Sequence, residues 1–357
     1  MANVEVKAPS NIKISGEHSV VYGGPCLSAA IPIYATASVK DNSTGELDIF
    51  LSDLDLRASF NDQTLRALHA EYSKRDVTPK KVGDTSPTGL AKFIANHKEI
   101  AKDMLPYAVI ASRLLVEHDV SVINKEIIIH SDVPIGKGYA SSAVCATSFT
   151  VALIKSAMKI LDDPTIIDIS RDGERIAHQI ETGGRLDVGP IYLGGYVTYD
   201  HDNGTKQQSI SAQIKVVILD VGEKPPTAVQ LAKVRDRRAS DPEDTDMIFG
   251  EIDACVLQCV SALKNGDIEQ LGKQMSRNHE LLKKLGVSSD KLDLAVNLAV
   301  SNGAYGAKLC GGGGGGMGIA LVKDDVTAKK VINALKEHGF IGFETSVTLN
   351  GAKHYLK

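Results

Sequence analysis

Four short stretches of this 357-residue chain combine residues that could bind or transfer a phosphate. The most informative is 134–143, PIGKGYASSA, which holds two glycines, a lysine and two adjacent serines. Its order differs from the common G-x-x-x-x-G-K-[ST] phosphate loop, in which the lysine follows the last glycine. Two interpretations are open: a different phosphate-binding loop, or a flexible glycine turn with a serine cap before a helix. The segment alone favours neither.

The position of this segment makes an anion site feasible. It follows a predicted strand at 125–130 and precedes a long apolar helix, so its residues fall at a helix N-terminus. Unpaired backbone N–H groups and the positive end of the helix dipole suit such a terminus to phosphate. Gly136 and Gly138 allow the backbone to approach a ligand closely. Ser141 and Ser142 could offer hydroxyls to phosphate or to Mg²⁺.

A second segment has six glycines in a row, at 311–316. Ordering so many glycines costs much conformational entropy, so such a run is either a loose linker or a backbone that must pass close to something. Linkers usually have polar flanks, whereas here KLC precedes the run and MGIALV follows it. Those flanks are typical of packed strands, and we therefore expect close approach.

The other two stretches supply polar side chains. In 8–23, APSNIKISGEHSVVYG, Asn11 and Lys13 alternate with isoleucines and would share one face of a strand, and Glu17 and His18 follow a glycine.

The last stretch, 173–195, contains one glutamate and one aspartate of interest. Glu174 could complete a magnesium site, because this hard cation takes carboxylate, hydroxyl and phosphate oxygens. Asp187 could accept a proton from an alcohol or orient it. Considered in isolation, Glu174 is more simply interpreted as an exposed glutamate on a helix, and Asp187 as an aspartate in a turn.

The elements predicted around these stretches mix strands and helices, with a domain boundary near 205–212. Strands are predicted at 4–7, 30–39, 125–130, 195–199, 214–219, 318–322 and 343–349. Helices are predicted at 105–118, 144–161, 166–180, 227–238, 246–264, 268–285, 291–302 and 326–338.

Composition bounds the kind of protein and its partners. With 43% hydrophobic and 24% charged residues, a packed core is feasible. A net charge of -4 gives no electrostatic footprint for nucleic acid, so no nucleic-acid partner is expected. No apolar run approaches the roughly 20 residues that span a bilayer, and the start lacks a signal-peptide pattern, so we expect a cytoplasmic protein without a membrane partner. Among five cysteines, Cys255 and Cys259 have helical spacing, which favours buried thiols over metal ligands.

Together the stretches APSNIKISGEH, PIGKGYASSA and KLCGGGGGGMGIAL resemble the three hallmark motifs of the GHMP kinase superfamily. GEHSVVYG, GERIAH, PTAVQLAKVR and NHELLKKLGVSSDKLD are similar to segments of its mevalonate kinases, so the resemblance spans nearly the whole chain. It implies an α/β fold of two domains. These are an N-terminal domain like ribosomal protein S5 domain 2 over residues 1–208, which binds ATP, and a ferredoxin-like C-terminal domain over residues 209–357.

The resemblance also implies a reaction, phosphorylation of the primary alcohol of mevalonate by ATP with Mg²⁺, in the cleft between the domains. Asp187 matches the general base, and Ser142 and Glu174 match the magnesium ligands. Three residues match positions that line the acceptor pocket: Glu17, His18 and Thr227. The phosphate loop would comprise Pro134, Gly136, Lys137, Gly138, Tyr139, Ala140, Ser141 and Ser142, and the second glycine loop beside both substrates would comprise Gly311, Gly312, Gly313 and Gly314.

This chain departs from the superfamily pattern at several positions. Asn11 stands where the first motif commonly has a lysine, and we expect Lys13, two residues on and on the same strand face, to supply the charge. Ala140 replaces a glycine, Cys310 a threonine and Gly312 an alanine. The departures surround the acceptor and the transferred phosphate.

Two alternatives therefore stay open. One is a kinase of the same superfamily with another acceptor, such as phosphomevalonate, a sugar or an amino-acid alcohol. The other is a catalytically silent protein of this fold that binds nucleotide or regulates a partner. The sequence is also compatible with a homodimer.

Overall fold

A computed structural model describes residues 3–77, 88–134, 138–179 and 184–356. Within these ranges the strands form a seven-stranded sheet, from the first 207 residues, and a four-stranded sheet, from residue 215 onward. The strands are β1 (Val4–Ser15), β2 (Cys26–Asp41), β3 (Glu46–Leu51), β4 (Leu56–Asn61), β5 (Lys125–Ser131), β6 (Tyr196–Asp200), β7 (Gly204–Gln207), β8 (Lys215–Asp220), β9 (Gly306–Leu309), β10 (Met317–Val322) and β11 (Ile341–Ser346).

Most helices begin where the sequence supplies a capping side chain. The helices are α1 (Asp62–Ser73), α2 (Gly89–Asn96), α3 (Leu105–His118), α4 (Ser141–Ser156), α5 (Asp163–His178), α6 (Arg185–Leu193), α7 (Thr227–Ser240), α8 (Pro242–Asn265), α9 (Ile268–Lys284), α10 (Asp290–Ser301) and α11 (Asp325–Glu337). Asn61, Thr88, Asp162, Asp241, Asp267, Ser289 and Asp324 each accept a hydrogen bond from a backbone N–H in the first turn.

The first sheet is built around β2, which pairs antiparallel with β1, β5 and β6. Strand β3 runs parallel to β5 and antiparallel to β4. Helix α4 packs on β1 and β2, where Ile12, Ile14, Leu27 and Phe149 are fully buried. This arrangement places the N-terminus of α4 beside β1, so two of the motif stretches become neighbours.

The second sheet has the order β11-β8-β10-β9 and is antiparallel throughout. The end of the chain then returns to the first sheet, because Gly195 donates to the carbonyl of Thr348 at 2.8 Å and Thr348 donates to that of Ala30 at 2.9 Å. The boundaries of the two domains, 1–208 and 209–357, stay a prediction. The two sheets nevertheless use strands from either side of that point.

The structure corrects several predicted elements. Strand β1 continues to Ser15 rather than ending at residue 7, and α4 covers 141–156 rather than 144–161. The hairpin of β3 and β4 was not predicted, nor were α1, α2, α6 and β7. Cys255 and Cys259 are buried free thiols on α8, as expected. Within the described ranges, no helix is both long and apolar enough to cross a membrane.

Candidate active site

The start of α4 is open to a ligand. Ala140 precedes the helix in the left-handed conformation, with φ of 56°, and no side chain of the described residues caps the first turn. This differs from the capped starts of α5 and α8, and it leaves the first N–H groups of α4 without a side-chain partner in the described part of the chain. The helix thus begins at PIGKGYASSA, as predicted, and offers an anion both N–H donors and the positive end of its dipole.

The loop before α4 is tied to both sheets. The Ser10 hydroxyl on β1 donates to the carbonyl of Tyr139 at 2.6 Å. The Tyr139 side chain is buried and stacks on Phe343 of β11, with ring centroids 6.3 Å apart. Gly138 has φ of 97°, a conformation that favours glycine. Pro134 ends the described part of this loop on its other side, and the predicted phosphate contacts of Gly136 and Lys137 lie outside the described residues.

Ser142 and Glu174, which the resemblance assigns to one magnesium site, lie together. The Ser142 hydroxyl, in the first turn of α4, donates to Oε1 of Glu174 on α5. His178, one turn further along α5, brings Nε2 to 3.3 Å from the same hydroxyl and 3.6 Å from Oε2 of Glu174. Glu174 is 5% exposed and is therefore not the exposed helical glutamate that the sequence in isolation suggested.

Lys13 reaches Asp187 directly. The Lys13 ammonium pairs with Oδ1 of Asp187, and Asn11 bridges the two by accepting from Lys13 Nζ at 3.1 Å and donating to Asp187 Oδ1 at 3.3 Å. Asn11 and Lys13 therefore share a strand face, as predicted. Asp187 belongs to the first turn of α6 rather than to a turn.

The two acids of the site have opposite pKa shifts. Burial and the negative charge of Asp187 raise the pKa of Glu174 to about 7. Burial acts in the same direction on Asp187, but the charge of Lys13 and hydrogen bonds from Lys13 and Asn11 outweigh it and lower the pKa of Asp187. Asp187 is thus ionised at neutral pH, whereas Glu174 exchanges a proton near neutrality.

The oxygen donors present suit Mg²⁺ bound together with a phosphate. Within the described ranges no group of three or more His, Cys, Asp or Glu side chains could hold a metal ion. Magnesium rarely uses such an all-protein cage and is usually bound by one or two carboxylates, water and substrate phosphate. The Ser142 hydroxyl and the Glu174 carboxylate, facing the open start of α4, fit that set.

Glu17 and His18, which follow the end of β1, lie close to Gly312 and Thr227. His18 Nε2 lies 3.1 Å from the carbonyl oxygen of Gly312, and a Cβ on Gly312 would lie 3.1 Å from Cγ2 of Thr227. A carbonyl only accepts, so Nε2 of His18 carries the proton and Nδ1 is an acceptor. Burial lowers the pKa of His18, which favours this neutral form.

A buried ion pair between Lys308 and Glu17 lies next to His18. Lys308, on β9, is fully buried, pairs with Oε1 of Glu17 and donates to the carbonyl of Leu309 at 2.6 Å. Oε2 of Glu17 and Nδ1 of His18 are buried and have no hydrogen-bond partner among the described residues. Buried polar atoms normally have partners, so these two acceptors mark a place for donors from a ligand.

The six glycines form the turn between β9 and β10 and approach other segments closely, as predicted. A Cβ on Gly313 would overlap the carbonyl oxygen of Val287, one on Gly314 would overlap the Gln230 amide, and one on Gly315 would lie 3.3 Å from Cα of Lys224. These positions therefore need glycine largely because other segments of the protein itself leave no room for a side chain.

This packing predicts different costs for two neighbouring substitutions. Gly311 and Gly313 both have φ near 80°, but nothing lies within 4 Å of a Cβ on Gly311. We expect Gly311→Ala to lower the free energy of unfolding by about 1 kcal/mol, from backbone strain alone. Gly313→Ala should cost a further ~1–3 kcal/mol, because it also collides with Val287. Denaturant unfolding of both variants measures the difference, and equal losses would contradict the close packing.

Two further residues of the site were not predicted from the sequence. His178 was visible as the last residue of GERIAH, and its helical spacing from Glu174 was the available signal. Lys224 lies in the segment between β8 and α7, and a Cβ on Gly138 would lie 3.6 Å from its Nζ. No motif marked Lys224, because only the tertiary fold brings that segment to the α4 loop.

The comparisons with known proteins agree with this geometry. Residues 105–195 match the family model described as the GHMP kinases N terminal domain, and residues 259–340 match that of GHMP kinases C terminal. Mevalonate kinase of Pyrococcus horikoshii is 27% identical over 364 residues, covering 98% of this chain and 97% of the relative.

Solved structures are similar over the same extent. The Methanococcus jannaschii mevalonate kinase has a TM-score of 0.76 and 25% identity, covering 97% of this chain and 98% of its own. The L. major mevalonate kinase in complex with R-mevalonate shares the fold, with a TM-score of 0.74 at 21% identity, over 98% of this chain and 97% of its own. The chain belongs to the GHMP kinase superfamily, where its full-length similarity is to mevalonate kinases.

Proposed function

We propose that the protein is an ATP-dependent kinase that phosphorylates mevalonate, giving 5-phosphomevalonate and ADP. The observation that carries the proposal is Asp187, ionised and held by Lys13 and Asn11. Asp187 lies near the Ser142–Glu174 pair and the start of α4. The site therefore combines a base with groups that can bind phosphate and a metal ion. Similarity to mevalonate kinases over the whole chain supports the choice of acceptor.

In the proposed reaction Asp187 accepts the proton of the primary alcohol as its oxygen attacks the terminal phosphorus of ATP. The bond from that phosphorus to the bridging oxygen breaks, and ADP leaves with the electron pair. Lys13 keeps Asp187 ionised and oriented, since the two side chains pair within a buried site. Phosphoryl transfer relies mainly on such positioning and on stabilisation of phosphate charge.

Phosphate charge would be stabilised at the start of α4. The N–H groups of its first turn and the backbone of the 138–141 loop would bind nucleotide phosphates. Ser142 and Glu174 would hold Mg²⁺, which when bound neutralises phosphate oxygens. A Glu174 carboxyl with a pKa of about 7 is readily deprotonated when a cation binds.

The acceptor would lie against Glu17, His18 and Thr227. Oε2 of Glu17 and Nδ1 of His18 are hydrogen-bond acceptors, and neither atom has a partner among the described residues. They would therefore bind hydroxyl donors rather than anionic groups. This favours a hydroxylated acceptor and is consistent with R-mevalonate, which the L. major enzyme of the same fold binds.

A panel of alcohols tests the choice of acceptor. We expect ADP release with Mg²⁺ and ATP to depend on mevalonate and to be at least tenfold slower with phosphomevalonate, galactose or homoserine. No response to mevalonate together with turnover of another alcohol would overturn the acceptor while retaining a kinase. Absence of turnover with every alcohol would favour a catalytically silent protein.

A further inference from the structure

Lys224 is a cation of the site that neither the motifs nor the proposed roles use. It lies in the segment that joins β8 to α7 and is half-buried. Its main chain packs against the second glycine loop, where a Cβ on Gly315 would lie 3.3 Å from Cα of Lys224. Its side chain crosses the first loop, where a Cβ on Gly138 would lie 3.6 Å from Nζ. Lys224 thus lies close to both glycine loops.

The charges around Lys224 are those of the active site. Burial and the positive charge of Lys13 lower the pKa of Lys224, while Asp187, Cys310 and Glu174 act in the opposite direction. Nevertheless, within the described ranges none of the ion pairs, which extend to 4.0 Å, includes Lys224. A half-buried ammonium that has no close counter-ion among the described residues, and that faces a phosphate loop, is suited to bind an anionic ligand.

Lys13 differs from Lys224 in this respect. The Lys13 ammonium is occupied by Asp187 and Asn11, so both of its close partners belong to the protein. Lys224 belongs to a different part of the chain, the segment that follows β8, the first strand of the second sheet. Lys13 therefore binds the base, Asp187, and Lys224 remains for the anionic ligand.

We propose that Lys224 binds the terminal phosphate of ATP and stabilises the charge on it during transfer, while Lys13 holds Asp187. The proposal rests on the proposed kinase function. It assigns Lys224 a contact with a phosphate that ATP has and ADP lacks. The variant Lys224→Met should therefore discriminate between these nucleotides less well than the wild type.

Nucleotide binding and turnover test this assignment. We expect Lys224→Met to bind a non-hydrolysable ATP analogue about tenfold more weakly and to bind ADP as the wild type does, measured by calorimetry with Mg²⁺. Its kcat should fall about 10²-fold, as when one donor to a charged transition state is removed, with KM for the acceptor unchanged. Lys224→Arg should recover part of kcat. Lys233→Met, which removes an exposed lysine from α7, is the matched control and should behave as the wild type.

Several outcomes separate this proposal from the kinase function. A Lys224→Met variant that keeps kcat within threefold, or that loses ADP and ATP-analogue binding equally, overturns the assignment even if the wild type phosphorylates mevalonate. Selective loss of analogue binding supports it even if no tested alcohol reacts. Should Lys224→Met fail to fold, Lys224→Gln takes its place, with a thermal unfolding midpoint matching the wild type as the criterion.

Discussion

Replacing Asp187 by asparagine is expected to lower kcat by about 10²–10⁴, the usual contribution of a general base. Asparagine keeps the shape and one acceptor oxygen for Lys13 and Asn11 but can no longer take a proton. Alanine would in addition leave the Lys13 ammonium in a buried site without its counter-ion. The asparagine variant therefore isolates the loss of the proton acceptor from the loss of the counter-ion of Lys13. Steady-state turnover with saturating ATP and mevalonate measures the effect.

Binding of the ATP analogue should change by less than threefold in Asp187→Asn, because the proposed phosphate contacts lie on α4. Asp41→Asn is a matched control, since Asp41 also pairs with a lysine, Lys125, at 3.1 Å, but at the end of β2. It should retain wild-type turnover. A variant Asp187→Asn with more than a tenth of the wild-type kcat would remove Asp187 from the role of base.

Lys308→Met is expected to lower the free energy of unfolding by about 3–5 kcal/mol, the usual cost of breaking a buried ion pair from one side. Lys308 is fully buried and Glu17 is 5% exposed, so the remaining carboxylate would have neither a counter-ion nor enough water. Denaturant unfolding at constant pH measures the loss.

A second substitution tests the cause of that loss. In Lys308→Met/Glu17→Gln the uncompensated charge is gone, and much of the stability should return. Arg66→Met breaks an exposed pair with Asp62 and should leave the free energy of unfolding nearly unchanged. If Lys308→Met cost less than about 1 kcal/mol, the ion pair would not support the acceptor side of the site as we describe.

The sequence predicted the local features of the site well, because these depend on short-range patterns. The start of α4 follows from glycines and serines between a strand and a helix, and the shared face of Asn11 and Lys13 follows from strand alternation. The packed flanks of the six glycines likewise indicated the β9–β10 turn.

The contacts between distant segments could not be derived in this way. The pairing of Lys13 with Asp187 joins β1 to α6, and α6 was missed because Gly189 and Pro190 are poor helix formers. Lys224 reaches the α4 loop only through the packing of the second sheet on the first. The hairpin of β3 and β4 was also missed, although Leu47, Ile49 and Leu51 alternate as a half-buried strand does.

The identity of the product is the sharpest test of the proposed kinase activity. Mevalonate, ATP, Mg²⁺ and the wild-type protein should give one phosphate monoester on the primary alcohol for each ADP released, which ³¹P and ¹³C nuclear magnetic resonance can establish. We expect this product with the wild type and almost none of it with Asp187→Asn. Phosphate on the tertiary alcohol, or free inorganic phosphate with unchanged mevalonate, would contradict it.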